Sequence, residues 1–180
     1  MKCVWIASTV LLLSTGLAAQ GNSGKGNAGN AAKPQSAIGV TLPSLVCGTT
    51  AGTDAFSVQA WSWGASNSGS VTAGGGAGAG KVNFTDVSVI KGFDGCSPAL
   101  LGAVAVGKHY PTLTLTQSNS DGTVTTLALT DVIVSAWQAG GSVASEAATE
   151  SVSFNFAKVC LTDGGSGSKF CFDAKLNQKF

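Results

Sequence analysis

Four kinds of side chain in this sequence could carry chemistry: thiols, one imidazole, a few carboxylates and a glycine run beside a lysine. Five cysteines are present, Cys3, Cys47, Cys96, Cys160 and Cys171. Cys160 and Cys171 flank the turn-rich segment Asp163-Gly164-Gly165-Ser166-Gly167. A fold-back near Gly165-Ser166 would bring them face to face at disulfide distance, leaving Cys47 to pair with Cys96. Free buried thiols are the alternative, and other pairings of four cysteines stay open. Zinc is disfavoured, because there is no CxxC pair and His109 is the single histidine.

The remaining candidates are weaker. His109 follows Gly107-Lys108, where a helix is expected to end. Lys108 and His109 there suit the last carbonyls and the negative end of the helix dipole better than general-base work. No GxSxG elbow occurs. Paired carboxylates for glycoside chemistry must face one another across a cleft, and the two glutamates, Glu146 and Glu150, lie in loop-like sequence before a strand. Gly74 to Gly80 precedes Lys81 without the spacing of a phosphate-binding loop, so it reads as a flexible loop. Asn83-Phe84-Thr85 fits an N-glycosylation sequon. Trp61 and Trp63 share a parity along one strand; a sugar-stacking platform is conceivable, but core or interface packing is the better reading. No catalytic residue, cofactor or metal is therefore expected.

The elements that must position these residues are mostly strands. Ser151 to Phe156 alternates polar and apolar, the mark of a strand with one buried face. Phe56 to Trp63 starts with that alternation and then changes phase, which points to a bulge or a strand covered on both sides. Val82 to Ile90 changes phase too. Thr112–Gln117 and Thr123–Trp137 flank a hairpin loop, Ser118 to Gly122, and the second run is long enough to bend. One helix is expected over about 98–107. Ser97 can cap it, Pro98 suits its first turn and Gly107 can end it. Its apolar residues surround most of the axis, so it should be largely buried. Many strands and one short helix imply a sandwich or a closed barrel.

Composition narrows the function. Of 180 residues only 11% are charged and 44% are apolar, against about 25% charged in an average domain. All ten basic residues are lysine, balanced by nine acids. That speaks against an electrostatic nucleic-acid binder and against disorder over the whole chain. Met1–Ala19 reads as a signal peptide: Lys2 is followed by an apolar run, Val4 to Leu17, and a small-residue exit. That run is too short for a comfortable bilayer span, which takes about 20 residues, so no stable membrane insertion is expected after cleavage. Residues 20–37 read as a flexible Gly/Asn-rich leader, and 38–180 as one domain. Gln20–Phe180 carries nine lysines and nine acids, for a net charge of zero. An even number of cysteines after export fits an oxidising compartment, so the protein is expected to be secreted or periplasmic.

From about Phe56 to Leu161 the chain resembles the Hcp (haemolysin-coregulated protein) family of type VI secretion. The pieces that carry the resemblance occur in the family's order. They are Trp61-Ser62-Trp63-Gly64, a Gly-rich loop ending Gly80-Lys81-Val82, Asp86-Val87-Ser88-Val89, Ser97-Pro98-Ala99-Leu100-Leu101, Gly107-Lys108-His109, Leu129-Thr130-Asp131-Val132 and Thr149-Glu150-Ser151-Val152. The resemblance implies a mainly β fold, an Hcp-like β-barrel of two antiparallel sheets with one short α-helix. It implies homo-oligomeric six-membered rings that can stack into a hollow tube, a structural conduit and a carrier of exported cargo. It implies no catalytic residues. With the signal peptide, the chain is expected to be an exported relative that keeps this fold. A tube subunit working inside a type VI apparatus and an extracellular binding module on the same barrel are the alternatives.

Overall fold

The computed structural model describes residues 35–48, 54–69, 80–145 and 147–180. The expected signal peptide, nearly all of the expected leader, most of the Gly-rich loop and Glu146 lie outside the described residues.

Eleven strands and one helix follow one another along the described chain: β1 (Ala37–Thr41), β2 (Ala55–Val58), β3 (Ala60–Ser62), β4 (Ala65–Asn67), β5 (Val82–Phe84), β6 (Val87–Gly92), α1 (Ser97–Val106), β7 (His109–Ser118), β8 (Val124–Gly140), β9 (Thr149–Asp163), β10 (Lys169–Asp173) and β11 (Gln178–Lys179). All pairings are antiparallel. Nine strands form one sheet, and β4 and β5 form a separate two-stranded ribbon. The phase change expected between Phe56 and Trp63 is the break at Gln59, which divides β2 from β3. The Gln59 amide still donates to the Ile90 carbonyl at 2.7 Å. With β2 and β3 taken as one kinked strand, the ladder closes on itself: β1 to β2/β3, then β6, β9, β8, β7 and back to β1. That is the expected barrel. Strand β1, too short to show a clear period in the sequence, is the stave between β2 and β7.

The period-2 pattern fills the barrel. Val87, Val89 and Lys91 of β6 point inward, as do Glu150, Val152 and Phe154 of β9, while Leu113, Leu115, Leu127 and Leu129 are fully buried from β7 and β8. Burying side chains of this size stabilises the fold by roughly 1.5–3 kcal/mol each. The expected bend in β8 is present twice. The ladder skips Pro111 and Asp131 between Tyr110↔Val132 and Thr112↔Thr130, and Asp131 has φ 55°. Pro111 has no N–H to give the ladder. Further along, a bulge inserts Ser135 between Val134 and Ala136. That extra residue resets the alternation, so Trp137 turns inward, where an unbroken strand would have turned it outward.

The helix departs from expectation in three ways. It begins one residue earlier, at Ser97, with Cys96 at the cap position and no side-chain cap. Ser97 instead accepts the Asp94 amide at 2.9 Å. It is also only half covered: Ser97, Leu100 and Ala103 are buried, but Leu101 and Val106 are exposed. The hydrophobicity of its residues misled because it runs all round the axis, whereas the barrel covers a single side. Finally, Lys108 and His109 do not place their side chains on the helix carbonyls. The helix ends as expected at Gly107, in the left-handed region at φ 61°. The Gly107 amide reaches Val104 O at 3.2 Å and the Lys108 amide reaches Ala103 O at 3.0 Å, so backbone donors already satisfy the carbonyls that those side chains were expected to meet.

Candidate functional site

His109 stands at the start of β7 and meets Asp131, on the kink of β8, with Nδ1 3.2 Å from Oδ1. Lys175, in the turn after β10, donates to the other Asp131 oxygen at 2.6 Å. The Lys175 ammonium first, and the His109 ring second, hold the Asp131 carboxyl below the usual carboxylate range. The carboxylate in turn raises Lys175. His109 and Lys175 are largely solvent-exposed and Asp131 is partly so, and among the described residues no Ser or Cys hydrogen-bonds to the imidazole. The cluster therefore clasps β7, β8 and the C-terminal turn together. Lys108 lies over the Tyr110 ring at 5.0 Å and donates to Ser44 O at 3.0 Å. Tyr110 is buried, and burial pushes its phenol pKa up.

The charged pair with the greatest burial was not anticipated. Lys91 and Glu150 are both enclosed at one end of the barrel, Nζ to Oε1 2.8 Å apart. The Lys91 ammonium also reaches Asp94 Oδ1 at 2.8 Å and the Gly92 carbonyl at 2.9 Å. Trp137 Nε1 donates to Glu150 Oε2 at 3.0 Å, a contact made available by the β8 bulge. The signal was present in the sequence: Lys91 continues the inward parity of Val87 and Val89, and Glu150 that of Val152 and Phe154. The Lys91 ammonium has three partners and each Glu150 oxygen has one, so the group fastens the barrel end.

The aromatic pair does not form a platform. Trp61 is half-buried against the core and donates to Gln117 Oε1 at 2.8 Å. Trp63 stacks on Phe84 with 5.6 Å between centroids and 4° between planes, and tilts against Phe156. The Gly64 amide is held by Thr85 Oγ1 at 2.9 Å. These residues pack the seam between the barrel and the β4–β5 ribbon. Asn83 of the sequon is exposed on β5.

The cysteines are joined as expected, Cys47 to Cys96 and Cys160 to Cys171. The second pair lies directly opposite in the β9–β10 register. The first ties the segment after β1 to the residue preceding α1. Among the described residues, no three His, Cys, Asp or Glu side chains cluster so as to hold a metal. No described helix is long and apolar enough to cross a membrane.

What the barrel does present is an outer patch without charged side chains, bordered by Asp86, which accepts from Ser135 and Asn155. Where Val87, Val89 and Lys91 point in, Ser88 and Ile90 point out. Their neighbours across the sheet are Ala60 and Ser62 on β3, Ser151 and Ser153 on β9, and Ala136 and Gln138 on β8. Ile90, 46% exposed, is the large apolar side chain among them. Of the residues singled out in the sequence, Ser151 lies on this face, paired with Ile90, and Thr149 lies beyond it, paired with Gly92.

Comparison with known proteins places the chain. A family model described as "Type VI secretion system effector, Hcp" matches residues 48–162. Protein hcp1 of Pseudomonas aeruginosa is 44% identical over 83 residues, which is 44% of this chain and 51% of that protein. The chain thus spans about half the length of the curated relative it matches. The fold is similar to a crystal structure of Hcp1 from Salmonella typhimurium, with TM-score 0.66 and 24% identity, covering 82% of this chain and all of that one. It is also similar to a type VI secretion system effector from Yersinia pestis, with TM-score 0.61 and 19% identity over 76% of this chain and 98% of the other. With the family match running from just after Cys47 through most of β9, this chain belongs to the Hcp family of type VI secretion proteins.

Proposed function

We propose that the protein is an exported structural subunit that joins copies of itself into rings able to stack as a tube, and acts as a conduit or carrier of exported cargo, not as a catalyst. The observation that carries this reading is the uncharged outer face on β3, β6, β9 and β8. This patch combines Ala, Ser and Gln side chains around one exposed Ile90. It suits close apposition of another folded surface, with no ionic repulsion to overcome at zero net charge. The family match over 48–162 supports it. The two disulfides support the exported half of the reading, because such bridges persist in oxidising compartments and are rare in the cytosol.

Electron microscopy of the chain from Gln20, folded under oxidising conditions, together with its mass in solution, tests the assembly. Rings or stacked tubes with a mass several times that of one chain are expected; a monomer at high concentration overturns the conduit reading. Cell fractionation tests export. A shortened form outside the cytoplasm is expected, and full-length protein retained in the cytoplasm would favour a tube subunit inside a type VI apparatus.

A further inference from the structure

The connection from β1 to β2 is pinned to the front of α1 twice. Cys47 is bonded to Cys96, the cap position of the helix. Beside that bond the Gly48 amide donates to the Gly95 carbonyl at 2.8 Å. Residues 42–48 thus form a strap between the stave β1 and the helix. Leu42 and Leu45 anchor it, both buried in the core that also takes in Leu100 and Ala103. Between them the chain makes a tight turn, with the Leu45 amide on the Leu42 carbonyl at 3.0 Å. Pro43 suits the second position of such a turn, but the third holds Ser44 at φ 72°, where glycine or asparagine belongs. A serine there is strained, and strained backbone persists only where its surroundings over-determine it. The holds on this turn include the exposed Lys108 ammonium, on the Ser44 carbonyl at 3.0 Å, and the disulfide. Cys160–Cys171 is placed differently. Its two residues are direct partners in the β9–β10 ladder. That ladder, the Lys158–Asp173 ion pair at 3.0 Å and Lys175 on Asp131 hold β10 independently of the sulfur bridge.

We propose that Cys47–Cys96 is a redox-sensitive latch: oxidised, it keeps residues 42–48 strapped to α1, and reduced by a dithiol it lets the strap open while the barrel and β10 stay folded. One thiolate of the dithiol attacks Cys47 Sγ and forms a mixed disulfide; the Cys47–Cys96 bond breaks, and Cys96 leaves as a thiolate. It leaves at the N-terminus of α1, where no side chain caps the amides and the helix dipole favours negative charge. The neighbouring Asp94 carboxylate is already paired with Lys91 at 2.8 Å. The second thiol then displaces Cys47. Two electrons and two protons reach the protein, and the reductant ends as a disulfide. With the link gone, Ser44 can leave the left-handed region, and the turn loosens from its Cys47 end. β1, a stave of five residues, loses the tie that fixes its outgoing end. An oxidising compartment closes the latch and a reducing one opens it. The latch follows from the strap alone and does not depend on the assembly reading.

Amide hydrogen exchange, followed by NMR, tests the latch. The variant Cys160→Ser/Cys171→Ser keeps the Cys47–Cys96 bridge and loses the other, so dithiothreitol acts on the latch alone. On reduction the Leu45 and Gly48 amides should exchange about tenfold faster or more, and the β7, β8 and β9 amides should change by less than about threefold. Oxidised dithiothreitol should restore the slow exchange. The variant Cys47→Ser/Cys96→Ser should show the same fast amides without any reductant. Before reduction, Cys160→Ser/Cys171→Ser should match wild type at Leu45 and Gly48 and keep its β10 ladder protected. Unchanged Leu45 and Gly48 exchange with the Cys47–Cys96 bond broken overturns the proposal. Acceleration of every amide together, or failure of Cys47→Ser/Cys96→Ser to fold, would make the bond a support of the whole fold and overturn a local latch. Failure of Cys160→Ser/Cys171→Ser to fold, or loss of its β10 protection, would show that the two bridges act alike and overturn it too.

Discussion

Lys91 and Glu150 face one another at 2.8 Å inside the barrel, each with no exposed side-chain surface. The pair bridges β6 and β9, and Asp94 and Trp137 complete its hydrogen bonds. Desolvating two charges is costly, and their mutual attraction offsets that cost only while both are present. Glu150→Leu or Lys91→Met alone should therefore lower stability by about 3–5 kcal/mol, and the double variant should recover much of the loss. Urea unfolding of the single and double variants checks this; additive losses would show that the two residues act independently.

The two disulfides should not contribute equally. Cys47–Cys96 spans 49 residues and Cys160–Cys171 spans 11. Loop-closure entropy then gives about 4 kcal/mol for the longer link and about 3 kcal/mol for the shorter. Paired Cys→Ala variants, melted side by side, should rank in that order. Thiol titration of unfolded, unreduced mature protein should find no free thiol.

Acid should loosen the clasp at Asp131. Lys175 and His109 depress its folded pKa, so the carboxylate contributes stability that is present above the unfolded value, near pH 4, and is lost as pH falls through the lower folded value. Wild type should lose stability more steeply than Asp131→Asn between pH 4 and roughly pH 2. Melting temperatures of both across that range decide it; parallel curves would assign the acid sensitivity elsewhere.

Gly107→Ala should cost about 1–2 kcal/mol. The cost is conformational: φ is 61°, and a Cβ there meets nothing within 4 Å. Gly107→Asn, which tolerates the left-handed region better, should cost less. Thermal unfolding ranks the three proteins, and equal stability of Ala and Gly would mean that the helix end rearranges.

Local chemistry alone placed much of this protein. Alternation located Ser151–Phe156 in the first half of β9, because a strand with one wet face must repeat every two residues, and Thr/Val/Leu-rich runs around a hairpin loop located most of β7 and β8. Gly107 ended the helix because φ near 60° is cheap only for glycine. The turn at Gly165-Ser166 brought Cys160 opposite Cys171. The tertiary structure decided what pattern could not. It made β1 a stave, because a five-residue strand next to a Gly/Asn-rich stretch carries too little periodicity to stand out. It left half of α1 bare, since an apolar circumference says nothing about how many neighbours the fold supplies. It separated Trp61 from Trp63 at the seam of the barrel, although both have the same parity along the chain. It also joined Lys91 to Glu150 across 59 residues of sequence. Parity along each strand turned both side chains inward, but only the β6–β9 register, set by barrel closure, put them within reach of each other.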